Sequence, residues 1–270
     1  MRYPLRRVLL SAALTLVSAQ VIFANPTDQQ FPNITAKRLV LGSSEGNLLL
    51  EAPLGSATFG GVQELEFVGD TIVLSADVVL SEVGGAQNAS LFAGSDTSTV
   101  AVSPGVTVDA GRGTVKIETD TDLFLTDVVL SGGNLSVSVN GLFQHSHRFD
   151  FLERADARAQ DTAMIRGENS VEIVADAVII DLPVEVPSGT ITIRPFTAGL
   201  DTLVAFDGPT FEPQSSRPLA TSGNGALILD PERDLPNLSA RDIVLGYLDG
   251  DFVLEAPLYS YSFGSGVTHV

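Results

Sequence analysis

Apolar residues from position 34 onward fall in short runs rich in Val, Leu, Ile and Thr, and Gly, Asp, Asn or Ser separates one run from the next. Within a run, apolar side chains alternate with polar ones or are nearly continuous. Alternation with a period of two is typical of β-strands that bury one face. The pattern therefore predicts an all-β chain, with strands at 71–74, 114–117, 135–139 and 190–193 among others.

Two short phrases recur along these strands. One is found at 76–80, 126–130 and 175–180, and the other pairs residues 108–117 with 184–193. Similar strands followed by similar turns favour rounds of chain stacked along one axis. The sequence thus predicts a right-handed parallel β-helix, or β-solenoid. A β-sandwich is the alternative, because short strands between frequent turns also describe that fold.

A longer repeat organises the whole chain. Residues 33–60 reappear 204 positions later as residues 237–264, and 14 of the 28 aligned positions are identical. Both copies contain a Leu-Gly turn and the phrase Leu-Glu-Ala-Pro-Leu. We therefore predict a solenoid over residues 33–270, made of one long repeat unit and the start of a second.

Residues 144–165 break the strand pattern. This stretch contains neither Gly nor Pro, and its apolar residues follow one another at roughly helical spacing. They are Phe149, Leu152, Ala155, Ala159 and Ala163. The spacing predicts a short amphipathic helix inserted beside the solenoid.

The N-terminal residues have the composition of a secretory leader. Arg2, Arg6 and Arg7 precede an apolar run, residues 8–17, that is too short to cross a bilayer as a helix. We predict a signal peptide over residues 1–24, cleaved after Ala24, and a short linker over residues 25–32. The leader predicts export, to a secreted or cell-surface location, which in the resemblance described below is the surface of the outer membrane.

Composition narrows the classes of partner and of stabilising bond. The chain has no cysteine, so disulfides and thiolate metal sites do not contribute to its stability. Its formal net charge of −18 is spread along the chain rather than gathered in a tail. Such a charge repels phosphate backbones, so nucleic acid is not an expected partner.

The segments 188–199, 226–230 and 238–250 resemble the β-helical repeats of filamentous-haemagglutinin-like adhesins of Gram-negative bacteria. In those repeats a Gly-Thr-Ile-Thr-Ile-Arg-Pro strand, a polar loop and a strand ending in Leu-Gly recur. The resemblance, to a short or truncated member, implies an exported shaft segment that mediates attachment or assembly. It implies host or matrix glycans or proteins and an outer-membrane secretion protein as partners. The alternative is a β-helix protein that binds or degrades polysaccharides.

Self-association is a further expectation. The end of a solenoid leaves a strand edge unpaired and a core open, and proteins normally cover both. We therefore expect the C-terminal round to pair end to end with another copy or to fray.

Two clusters have the residue types of metal sites. His145 and His147 are spaced to share one face of a strand, with Asp150 nearby, and Glu118, Asp120 and Asp122 repeat at the same spacing. Imidazoles suit transition metals, whereas carboxylate oxygens suit calcium. For both clusters the favoured interpretation is a solvated polar surface, and a metal site, including a calcium ion on the carboxylates, is the alternative.

No residue pattern predicts catalysis. A β-helix enzyme acting on polysaccharide would need convergent carboxylates on one solvent face, and four acidic residues are candidates for such a set. They are Asp201, Asp207, Asp230 and Glu232. Nucleophile, phosphate-loop and dinucleotide motifs are missing from the sequence. We predict no catalytic residue, no enzymatic activity and no cofactor.

Overall fold

The computed structural model describes residues 21–23, 37–55, 63–80, 88–93, 99–147, 163–204, 226–246 and 249–270. These residues form nineteen β-strands and two short 3-10 helices, Leu235–Asn237 and Ser260–Ser262, with no α-helix among them. The prediction of an all-β chain is confirmed. All strand pairs in the described part of the chain are parallel, which is not the pairing of a β-sandwich.

Sixteen of the strands belong to one sheet, in which three parallel stacks can be followed. Stack A consists of β2 (Arg38–Gly42), β5 (Glu64–Gly69), β8 (Asn88–Ala93), β11 (Thr114–Thr119), the middle parts of β13 (Val129–Ser146) and β14 (Met164–Ile180), and the C-terminal parts of β15 (Val184–Arg194) and β18 (Leu238–Leu245). Stack B consists of β1 (Val21–Phe23), β3 (Asn47–Leu50), β6 (Thr71–Leu74), β9 (Thr99–Val102), β12 (Leu123–Thr126) and the C-terminal ends of β13 and β14. Stack C consists of β4 (Leu54–Gly55), β7 (Val78–Val79), β10 (Thr107–Asp109) and the N-terminal parts of β13, β14, β15 and β18.

From Arg38 to Arg194 the chain visits these stacks in a constant order. From β2 in stack A it passes to β3 in stack B and β4 in stack C, and then returns to stack A as β5, beside β2. We call one such passage a round. Two parallel neighbours in a stack need a long connection between them. In each round the strands of the other two stacks provide that connection. The direct neighbours in stack A are 20 residues apart at Thr114 and Asn134 and 52 apart at Thr190 and Asp242.

Alternation along each strand builds the core. In stack B, Leu48, Ile72 and Val100 lie in register and are buried, and the same holds for Leu50, Leu74 and Val102. The residues between them face outward and are half-buried or exposed. Stacked β-branched and Leu side chains fill the interior as continuous rows, which is the packing that the strand pattern predicts.

Three further strands form a second sheet in an order that the chain does not follow. β16 (Asp201–Val204) lies between β17 (Ala226–Leu229) and β19 (Phe252–Leu254). In chain order β16 and β19 follow the stack A strands β15 and β18, which is the position that stack B strands hold in earlier rounds. β16 thus has its two later strands on opposite sides, with β17 on one side and β19 on the other.

The two copies of the long repeat share backbone geometry. Gly42 and Gly246, which are equivalent, have φ angles of 98° and 95°. The carbonyl of Lys37 accepts hydrogen bonds from the N–H groups of Gln63 and Glu64, and the equivalent carbonyl of Arg241 accepts them from Thr268 and His269. The second copy thus starts the next round at His269 as the first copy starts it at Glu64.

Two sequence predictions meet the described residues only at their ends. The helix predicted over residues 144–165 is wrong at both ends, because Gln144 belongs to β13 and pairs with Phe124, and Ile165 belongs to β14 and pairs with Leu130. Backbone pairing to two neighbouring strands outweighs the local helical spacing there. Residues 148–162 and the linker at 25–32 lie outside the described residues. Val21–Phe23, inside the predicted leader, pairs with Leu48–Leu50.

The glycine turns provide a test of the backbone geometry. Both Gly42 and Gly105 have a positive φ, but a Cβ at Gly42 would overlap the carbonyl oxygen of Val68, whereas a Cβ at Gly105 would meet nothing within 4 Å. We expect Gly105→Ala to lower the free energy of unfolding by about 1 kcal/mol through backbone strain alone. Gly42→Ala should lower it by about 2 kcal/mol or more, since the neighbouring strand must also move. Urea unfolding of the two variants measures the difference, and equal losses would contradict it.

Candidate functional site

The outward faces of the stacks differ in charge. On stack A the outward residues include Glu66, Lys116 and Glu172, and each of them forms an ion pair. The pairs are Arg38–Glu66, Lys116–Glu118 at 2.6 Å and Arg194–Glu172 at 3.0 Å. Stack A thus exposes a conventional solvated charged surface, on which such pairs contribute little to stability.

Over four successive rounds stack B exposes a central outward row without charge, and the exposed carboxylate of Asp122 lies at the edge of this surface. Its central outward row contains Val73, Ala101, Phe124 and Gln144: Val73 pairs with Ala101, Phe124 pairs with Gln144, and the pairing of Leu125 with Val102 places Phe124 beside Ala101. Hydroxyl residues flank this row on both sides. They are Thr71, Thr99 and Thr121 on one side and Ser75, Ser103 and Thr126 on the other. We call these three rows the neutral stripe.

Hydroxyl groups along the neutral stripe bond to one another between rounds. The Oγ atoms of Ser75 and Ser103 are 3.0 Å apart, and Thr121 Oγ1 donates to Thr99 Oγ1 at 3.3 Å. Phe124 is 50% exposed in the middle of the stripe, where its ring forms an apolar platform. A flat arrangement of an aromatic ring and hydroxyl rows can pack against an apolar ring face while it donates and accepts hydrogen bonds.

The three carboxylates considered as an alternative calcium site do not share a strand face. β11 ends at Thr119, so that only Glu118 lies on it, and the turn that follows contains Asp120 and Asp122. Glu118 pairs with Lys116, and Asp122 Oδ1 accepts a hydrogen bond from the N–H of Leu142 at 2.8 Å. Asp122 therefore joins one round to the next. Within the part of the chain that the structure describes, three His, Asp or Glu side chains nowhere converge as a metal site.

The two predicted imidazole ligands lie in different environments. His145 is fully buried, and neither ring nitrogen has a hydrogen-bond partner among the described residues. Burial is the main cause that lowers the pKa of His145 to about 4. His147 is partly exposed, and its Nδ1 lies 2.9 Å from Asp127 Oδ1. Asp150 is outside the described residues, so the structure does not bring the predicted set together.

The buried imidazole gives a pH dependence with a definite sign. His145 has a lower pKa in the folded chain, about 4, than the 6.5 of an unperturbed imidazole, so the unfolded chain binds a proton first as the pH falls. The free energy of unfolding is then full above about pH 6.5 and falls by up to about 3 kcal/mol as the pH approaches 4. His145→Leu should flatten this part of the profile, whereas His147→Gln should leave it in place. Urea unfolding between pH 7 and pH 4 measures both, and parallel profiles for the wild type and His145→Leu would contradict the assignment.

The acidic residues considered for catalysis are used as backbone acceptors. Asp201 Oδ1 accepts the N–H of Asp251 at 2.9 Å, and Asp230 Oδ1 accepts the N–H of Glu232 at 2.8 Å. Asp207 lies outside the described residues. Asp201 and Asp230 therefore hold turns in place, and Glu232 is exposed.

Sequence reasoning missed the most deeply buried carboxylate. Asp234 has no exposed surface, and burial is the main cause that raises its pKa. It receives hydrogen bonds from the N–H groups of Ile180 at 3.0 Å and Asp230 at 2.9 Å, and from the Arg233 guanidinium at 2.9 Å to each oxygen. Asn237 Nδ2 adds bonds to the carbonyls of Ile180 and Arg233. This polar knot ties the turn after β17 to the end of β14.

A pair with the same local sequence but an exposed setting tests the knot. Arg233–Asp234 is buried, while the Arg241–Asp242 pair, also between neighbouring residues, is on the surface at 2.8 Å. We expect Asp234→Asn to lower the free energy of unfolding by about 3 kcal/mol, because it removes the buried negative charge that accepts bonds from the guanidinium and from two backbone N–H groups. Asp242→Asn should cost less than about 1 kcal/mol. Urea unfolding compares the two, and a loss of similar size in both would contradict a structural role for the knot.

Comparison with known proteins gives no assignment: no protein-family model, no curated protein and no solved structure matches the chain. Among the described residues, no helix has the length and apolar character needed to span a membrane.

Proposed function

We propose that the chain is an exported right-handed parallel β-helix that serves as a shaft segment of a haemagglutinin-type surface protein and mediates attachment or assembly. The observation that supports this most directly is the constant visiting order of the three parallel stacks from Arg38 to Arg194. Eight strands of stack A spaced by about 4.8 Å give a shaft of about 35 Å. Rows of inward Val, Leu and Ile make such a shaft stiff along its axis.

Attachment would use the neutral stripe. The rest of the molecule is strongly acidic, with a net charge of −18, and repels anionic surfaces. An uncharged partner is not repelled, and it has fewer charged groups to desolvate on the stripe than on stack A. Exposed Phe124 and the hydroxyl rows suit the ring faces and hydroxyl groups of an uncharged glycan of a host or matrix. We therefore propose neutral polysaccharide as the partner class.

Export would depend on the predicted leader and on an outer-membrane secretion protein. In this proposal the chain crosses the inner membrane as an unfolded polypeptide, loses residues 1–24, and folds at the cell surface or outside the cell. Strong net charge keeps such an exported protein soluble. The proposal includes no catalytic step, so incubation with polysaccharides should release no new reducing ends.

A binding experiment tests the neutral stripe. The exported protein is passed over immobilised uncharged polysaccharides, and Phe124→Asp is compared with Val40→Asp, which changes an equally exposed residue, 47% against 50%, on the outward side of stack A. We expect Phe124→Asp to weaken binding at least about tenfold, because it removes the aromatic platform and introduces a charge, and Val40→Asp to leave it within about twofold. Equal effects of the two substitutions, or no saturable binding of the wild type, would overturn the proposed mode of attachment.

A further inference from the structure

The last strand of the second sheet exposes side chains that its counterpart buries. β19 is the repeat equivalent of β3, so that Phe252 corresponds to Leu48 and Leu254 to Leu50. Leu48 and Leu50 are 1% and 0% exposed, whereas Phe252 and Leu254 are 48% and 52% exposed. The difference is the next round: β6 lies beside β3, but among the described residues β19 pairs with β16 alone. Phe252 and Leu254 therefore form one side of a contact between rounds, and among the described residues no strand forms the other side.

Elsewhere in the last round the C-terminal residues already cover the edge. Gly264 donates its N–H to the carbonyl of Leu238, and Thr268 donates to that of Arg241. His269 accepts the N–H of Ile243 at 3.0 Å and so begins a strand beside β18. Stacks A and C are thus partly covered, whereas in the position of stack B the described residues leave β19 uncovered.

We propose that the outer edge of β19, with Phe252 and Leu254, binds the N-terminal round of a second copy of this chain through β3. The contact would extend the round-to-round interface that already operates inside the molecule, with strand pairing and apolar stacking of the same kind. The inference rests on the proposed function, because in the structure β1 pairs with β3 on the side away from β6. β1 lies in the predicted leader, so cleavage after Ala24 frees that edge.

β3 is the stack B strand at the opposite end of the molecule, which makes it the natural partner of a strand in the stack B position. Stack B strands from β6 to β12 have a neighbour on each side, so a second copy cannot offer them without unfolding. At the N-terminal end, β3 carries Leu48 and Leu50, which are in register with Ile72 and Leu74 on one side. Once β1 is removed, the other side of β3 exposes an apolar edge against which Phe252 and Leu254 of another copy can pack. Pairing of one end with the opposite end is heterologous, and it adds molecules without a closed limit.

Charge gives the contact a characteristic salt dependence. With β3 stacked on β19 in the register of the repeat, Glu51 of one copy would lie next to Glu255 of the other, and both molecules are acidic overall. Repulsion between like charges weakens the association at low ionic strength, and added salt screens it. Association should therefore strengthen as sodium chloride rises, opposite to the behaviour of a contact held by ion pairs.

Sedimentation velocity over a concentration series tests the association with the exported protein, whose N-terminus is read by mass spectrometry. We expect assemblies that grow with concentration and salt. Phe252→Asp combined with Leu254→Asp should reduce the association constant at least about tenfold, while Val244→Asp, at a residue of the same round that is 49% exposed, should not. Circular dichroism checks that the variants fold. A wild-type protein that stays monomeric at all concentrations, or equal effects of the two sets of substitutions, would overturn the proposal.

Engineered thiols locate the contact, because the chain has no cysteine of its own. Leu49→Cys and Val253→Cys place a thiol on the outward side of β3 and of β19, at equivalent repeat positions, within disulfide reach in the proposed register. Mild oxidation of a mixture should give disulfide-linked pairs that contain one of each variant. Pairs formed by Val253→Cys alone would show tail-to-tail contact and overturn the head-to-tail arrangement.

The experiments separate this inference from the function on which it rests. A monomeric protein that still binds neutral polysaccharide would refute only the end-to-end contact. An exported protein that retains residues 1–24 would refute leader cleavage and, with β3 still covered, the proposed contact as well.

Discussion

Parallel register between successive rounds is the constraint on which the rest of the structure depends. Each strand must place its inward side chains over those of the strand before it, because a shift of one residue would turn the whole apolar set outward. Leu48, Ile72 and Val100 satisfy this requirement in stack B. Turns and insertions can then vary in length without disturbing the core, since 20 or 52 residues between partners give the same register.

The same constraint also organises the outward side chains. Residues at one strand position line up from round to round and form a row on the surface. One outward residue per round lies directly beside its counterpart, so a modest preference at one strand position becomes a continuous band. Stack B gathers Val73, Ala101 and Phe124 in this way, and in stack A the row of Glu66, Lys116 and Glu172 has Ser90 and Ser136 at the positions between them. Charge on one side and neutrality on the other follow from period-two alternation combined with stacking.

Period-two alternation is local, so the sequence predicts strands, inward residues and repeat equivalence well. Ile117 and Leu123 are buried and Gly42 turns as its equivalent Gly246 does. What it cannot predict depends on contacts between distant residues. β17 lies on the side of β16 away from β19, and Asp234, which follows β17, accepts the N–H of Ile180, 54 residues away. His145 is buried because its strand continues past the point where the helical spacing of residues 144–165 suggests a change of structure.

The two copies of the long repeat distinguish the effect of local sequence from the effect of the neighbouring round. Leu50 and Leu254 have the same residue type, the same place in their round and the same flanking Glu-Ala-Pro, yet one is fully buried and the other half exposed. Local sequence therefore sets the conformation of a round, while its burial comes from the round beside it. A strand edge with inward apolar residues is, for that reason, stable only to the extent that another strand covers it. In a solenoid, self-association and internal folding are consequently the same interaction, distinguished only by whether the next round belongs to the same chain.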